Sequence, residues 1–161
     1  MIFDRLRFLT LYPEWPWSIF RGQPEKDGEN RGWPFPSWAV GTPIVIHSGA
    51  LPGGQGGREK RTAALQAWMA TLRRAGQALP AGFTVGQIPT RCILGVVVPG
   101  ESTLRSRSPW HAPGLWFTPF REIYVYEEPV PMERGGEGLK PLEPEIHRAC
   151  MQAFETARRI R

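Results

Sequence analysis

The chain has 161 residues and a mass of 18.2 kDa, enough for one domain with an ordinary core and too little for a two-domain enzyme. Its 20 Lys and Arg outweigh 15 Asp and Glu, a net charge of +5, and such a surplus favours polyanionic partners, phosphate backbones above all. Gly (18) and Pro (17) call for many turns, while 41% hydrophobic and 11% aromatic content supplies a packed core and excludes a wholly disordered chain.

No apolar run approaches the roughly 18 residues that span a bilayer, so no membrane association is expected. Asp4, Arg5 and Arg7 stand where a signal peptide needs its apolar stretch, which points to a cytoplasmic location. Cys92 and Cys150 lack CxxC spacing and read as buried thiols. His147 and Cys150 stand three apart, but His47 and His111 are isolated, so neither a metal site nor a cofactor is expected.

In chain order, RLRFLTL at 5–11 alternates bulky and polar side chains and predicts a strand, stopped by Pro13. Residues 12–38 hold Trp15, Trp17, Phe20, Trp33, Phe35 and Trp38, too many aromatic residues for a disordered loop. TPIVIHS at 42–48 predicts a buried strand, and the LPGGQGG after it a flexible connection. This loop precedes a helix but lacks the GK[ST] ending of a nucleotide-triphosphate loop, which sets that enzyme class aside. From Arg58 to about Gln77, Leu65, Trp68, Leu72 and Ala75 recur at helical spacing. The opposite face of this helix carries Arg58, Lys60, Arg61, Arg73 and Arg74.

RCILGVVV at 91–98 gives the strongest strand signal, a β-branched run suited to burial on both faces. A polar loop at 100–108, with Arg105 and Arg107 between serines, separates it from an aromatic segment, Trp110 to Phe120. EIYVYE at 122–127 alternates again, PVPMERGGEG reads as a turn, and a helix over about 143–160 closes the chain with Arg158, Arg159 and Arg161 at its C-terminal end. With no repeat and no linker, one domain over 1–161 is expected, an α+β mixed β-barrel flanked by helices.

The order Pro16-Trp17, Gly22, Lys26-Asp-Gly-Glu29-Asn-Arg31, Gly41 and Ile46-His47 resembles the ASCH domain family of the PUA-like superfamily. IPTRCILGVVV, SPWHAPGLWF and EEPVPMERGGEGLKPL fit its later segments, so the resemblance covers roughly Phe8 to Leu142. It implies a small PUA-like barrel and a link to RNA or to modified nucleosides. Family members similar to N4-acetylcytidine amidohydrolases carry Thr three residues after the Lys, and here that position is Glu29. Gln23-Pro24-Glu25 also lengthens the usual one-residue spacing before the Lys, so the loop presenting Lys26 is expected to be remodelled.

Read without the family, Lys26, Glu29 and Arg31 form a charged cluster bracketed by Trp17 and Trp33. Cations meet phosphate, a carboxylate accepts from an exocyclic amine, and indoles stack on bases. If 29–33 is extended, Glu29, Arg31 and Trp33 share one face. The expected nucleotide-binding set is Lys26, Glu29, Arg31, Trp17 and Trp33, with His47 and Ser48 as further contacts. The favoured function is binding of RNA or a modified nucleobase. The alternative is a nucleoside amidohydrolase or ribonuclease in which Lys26 acts as base and Glu29 shuttles protons or holds a water. Ser48 would then be the substitute hydroxyl.

Overall fold

A computed structural model describes residues 4–161. Among these residues, seven strands and three α-helices follow in the order β1 (Arg7–Leu11), α1 (Glu14–Phe20), β2 (Gly28–Arg31), β3 (Ile44–Ser48), α2 (Gly57–Ala75), β4 (Cys92–Pro99), β5 (Trp116–Pro131), β6 (Lys140–Pro141), α3 (Pro144–Phe154) and β7 (Arg158–Arg159). The strands form one curled, half-barrel sheet in the order β2-β5-β4-β3-β1-β6, with β7 alongside β5. β1 and β3 run parallel and the other pairs antiparallel, so the α+β class expected from the sequence is the one observed.

Both faces of the central strands are covered, which is why β4 reads as an unbroken apolar run. Leu9, Ile44, Ile46, Leu94 and Val97 face a core shared with Ile19 and Phe20 of α1. Phe8, Val45, Ile93 and Val96 face the other way, against Ile146, Ala149 and Cys150 of α3. A third cluster joins Trp68 and Leu72 of α2 to Trp17, Trp110 and Phe117, so the apolar stripe predicted on this helix is the face that it buries.

Three expectations are corrected. The end of the aromatic segment, EIYVYE and the start of the expected turn form one 16-residue strand, β5, in which Pro119 sits where the pairing passes from β2 to β4. The closing helix ends at Phe154 instead of about residue 160, because Glu155 and Ala157 take turn bonds and the chain folds back as β7 on Tyr124 and Val125. Arg158, Arg159 and Arg161 therefore lie on the edge of β5 and not at a helix end: Arg159 pairs with Glu122, and Arg161 with Glu25.

Candidate functional site

The site begins where α1 ends. Ser18, fully buried, donates from Oγ to Gln77 Oε1 at 2.9 Å and accepts from Trp68 Nε1 at 2.8 Å. Gln77 Nε2 donates back to the carbonyls of Ser18 and Pro24, at 3.2 and 2.7 Å. The end of α2 thus clamps the extended loop before Lys26. A Cβ on Gly22 would stand 1.8 Å from Gln77 Nε2, so only glycine admits this clamp. Lys26 N then donates to Ser18 O at 2.9 Å and turns its side chain inward.

Lys26 is 1% exposed. Its Nζ lies 2.9 Å from Glu29 Oε2, donates to Gly28 O, and sits 5.5 Å from the centre of the Trp15 ring. Glu29 Oε1 accepts from Asn30 N at 3.0 Å. The amine is consumed by these contacts, while the carboxylate retains lone pairs for a further donor.

β2 pairs antiparallel with Gly28 opposite Pro119 and Arg31 opposite Trp116, which fixes its alternation. Glu29, Arg31 and Trp33 line one hollow of about 540 Å³, together with Trp15, Thr10 to Tyr12 at the end of β1, Gly49 and Ala50, and the segment Gly136 to Gly138. That volume is in the range of small-ligand sites. Arg31 Nη2 donates to Thr10 O at 3.2 Å, and its Nε is buried with no protein partner. Trp33 is 36% exposed and stacks on Phe35, with ring centres 5.5 Å apart. The wall therefore offers an acceptor, an unspent donor and two indoles.

Four residues expected in the site do not line the hollow: Lys26 is buried against Glu29, and three others lie elsewhere. Trp17 is 5% exposed and packs edge-on against Trp68 in the third core cluster. Trp15 lines the hollow in its place, since two residues on a helix face directions about 200° apart. Ser48 Oγ donates to Pro89 O, away from Lys26, so it offers no substitute hydroxyl. His47 is fully buried one layer behind the hollow. A carbonyl only accepts, so His47 Nε2 carries the proton donated to Met132 O at 2.7 Å, and Nδ1 accepts from Thr10 Oγ1 at 3.1 Å. Burial lowers the pKa of His47, and the bond to Met132 opposes that shift in part.

Sequence reasoning does not find Thr10 or the wall it holds. Thr10 Oγ1 also accepts from Gly136 N at 3.1 Å, and a Cβ on Gly135 would lie 2.4 Å from the same oxygen. A chain of bonds from Met132 through His47 and Thr10 thus fastens the Gly135–Gly138 segment beside the hollow. The adjacent glycines in ERGGEG are the available signal, but by themselves they suggest only a turn.

A larger hollow of about 1170 Å³ lies between Arg21 to Glu25 and β7. None of the residues expected from sequence to bind a nucleotide lines it. Its aromatic residues, Phe20 and Tyr126, are each buried in core clusters, which leaves no open stacking face. Chemistry favours the smaller hollow. No helix among the described residues is long and apolar enough to cross a membrane, and no group of His, Cys, Asp and Glu among them is arranged to hold a metal ion. No protein-family model matches the chain, and no curated protein matches it.

Proposed function

We propose that the chain is a PUA-like module of the ASCH type that binds RNA or a modified nucleobase in the hollow walled by Glu29, Arg31, Trp15 and Trp33. One observation carries this reading: a carboxylate and a guanidinium with a free buried donor stand two residues apart on β2, facing the same space as two indoles. A base presents the matching set, with amine donors and ring or carbonyl acceptors on its edge and π-faces above and below. Stacking contributes about 1–3 kcal/mol per base. The ASCH-like order of motifs from Phe8 to Leu142 supports the same class of ligand.

Binding is preferred to hydrolysis because Lys26, the amine that hydrolysis would employ, is buried and held by Gly28, Glu29 and the Trp15 ring. A base or nucleophile needs a route to the substrate, and Lys26 does not line the wall. Titrating the protein with nucleoside monophosphates while following tryptophan fluorescence tests the reading. Saturable quenching that is lost in Trp33→Ala supports it. No quenching by any nucleotide, or equal quenching in Trp33→Ala, overturns it. Release of acetate from N4-acetylcytidine by the wild type but not by Lys26→Met would move the assignment to the hydrolase.

A further inference from the structure

β2 has a second face. Glu29 and Arg31 point into the hollow, and Asn30 between them points away. Asn30 Nδ2 donates to Trp110 O at 2.8 Å, and Asn30 Oδ1 accepts from Ala112 N at 2.8 Å. This residue fastens the loop that carries Arg105 and Arg107.

The loop is held at several other points. Thr103 and Phe117 exchange two backbone hydrogen bonds at 2.8 Å, Ser108 Oγ donates to Asp27 Oδ1 at 2.6 Å, and Trp110 is buried against Trp68 and Leu72. Arg74 Nε of α2 reaches across to Pro109 O at 3.0 Å. The C-terminal end of α2, with Arg73 and Arg74, and the loop, with Arg105 and Arg107, are therefore joined into one surface. All four arginines are exposed, and none forms an ion pair with an acidic residue among the described residues. Between residues 100 and 112 Glu101 is the only acidic side chain, and between 68 and 76 there is none.

We infer that Arg73, Arg74, Arg105 and Arg107 form a backbone-binding surface for single-stranded RNA whose neighbouring base enters the hollow across β2. The inference rests on the nucleobase reading of that hollow and adds that the ligand is a polynucleotide instead of a free nucleoside. Guanidinium groups match phosphate oxygens in a bidentate fashion that no other side chain reproduces. β2 is an edge strand with the hollow on one side and the loop fastened by Asn30 on the other, so a nucleotide chain crossing this edge would meet both. An unpaired strand places one base in the hollow while its phosphates continue outside, without the unpairing cost that a duplex would incur by flipping a base out.

The test is fluorescence anisotropy with a short, labelled, mixed-sequence single-stranded RNA over about 50 to 200 mM KCl. The proteins compared are wild type, Arg105→Gln/Arg107→Gln and Trp33→Ala. Circular dichroism and melting confirm that each variant is folded. The RNA is expected to bind more tightly than a nucleoside monophosphate. Each phosphate left without its arginine makes the slope of log K against log salt shallower by about 0.7, so the double Arg variant should lose about 1.4 in slope. It should also keep wild-type affinity for the monophosphate. An unchanged slope in the double Arg variant, with Trp33→Ala still weakening both ligands, overturns the arginine surface and leaves the nucleobase reading standing. If Trp33→Ala changes neither ligand, the nucleobase reading fails and this inference falls with it. Equal competition by duplex DNA or by polyglutamate assigns the arginines to a general polyanion surface and also overturns the single-strand assignment.

Discussion

Lys26 Nζ and Glu29 Oε2 stand 2.9 Å apart with side-chain exposures of 2% and 9%, so the charged cluster at the heart of the site is an ion pair removed from solvent. Removing one partner of such a pair strands the other charge, which costs about 3–5 kcal/mol, while removing both restores charge balance. Lys26→Met should therefore lower unfolding free energy by about 3–5 kcal/mol. Lys26→Met/Glu29→Met should be less destabilised than the sum of its single variants. Urea denaturation of the four proteins measures this coupling. Strict additivity would show that the pair is electrostatically idle.

The two tryptophans nearest the cluster in sequence should separate cleanly. Trp17 is buried in core, and truncation to alanine there should cost about 3–5 kcal/mol in stability. Trp33 is half-open, so Trp33→Ala should leave the urea midpoint nearly unchanged and weaken nucleotide binding by about 1–3 kcal/mol, roughly five- to 150-fold. The reverse pattern would place the ligand on the α2 side of α1.

Burial holds the folded pKa of His47 below its ordinary 6.5. The unfolded chain therefore takes up a proton first as pH falls. The contribution of His47 to stability is complete above about pH 6.5 and is lost progressively as pH drops below that value toward the folded pKa. Measured between about pH 5 and 8, stability should decline on the acid side, and His47→Gln should flatten that part of the curve. Thr10→Val should loosen the Gly135–Gly138 wall and weaken nucleotide binding at every pH, because the hydroxyl that holds Gly136 N is gone.

Both thiols should resist modification. Cys92 and Cys150 are buried, and burial raises the pKa of each, to about 11 for Cys150. A disulfide-exchange reagent at about pH 8 should label neither until urea unfolds the protein, since the thiolate is the reacting species. Rapid labelling of Cys150 in the native state would mean that α3 detaches from the sheet.

The elements with a regular period were legible in the sequence. β1, β3, β4 and α2 emerge within a few residues of their expected bounds, because uninterrupted apolar alternation or a three-four repeat leaves few other packings. The alternation of Glu29, Arg31 and Trp33 was legible for the same reason. What escaped depends on partners distant along the chain. Trp15 and Trp17 are equivalent in composition, and only the docking of α1 decides which one faces the hollow. The ties from Thr10 to His47 and from Ser18 to Gln77 span 37 and 59 positions, and no local pattern announces them. The last residues carry helix-favouring Ala and Arg, yet pairing with Tyr124 and Val125 outweighs that weak propensity.

β2 is four residues long, and its inward and outward side chains serve different neighbours. A one-residue insertion or deletion there would exchange those duties at a stroke, turning Asn30 toward the hollow and its two charged flankers toward the arginine loop. A library that varies residues 31 and 33 while holding the spacing fixed, and that keeps Glu29 as the partner of buried Lys26, is therefore the natural route to altering what the hollow accepts.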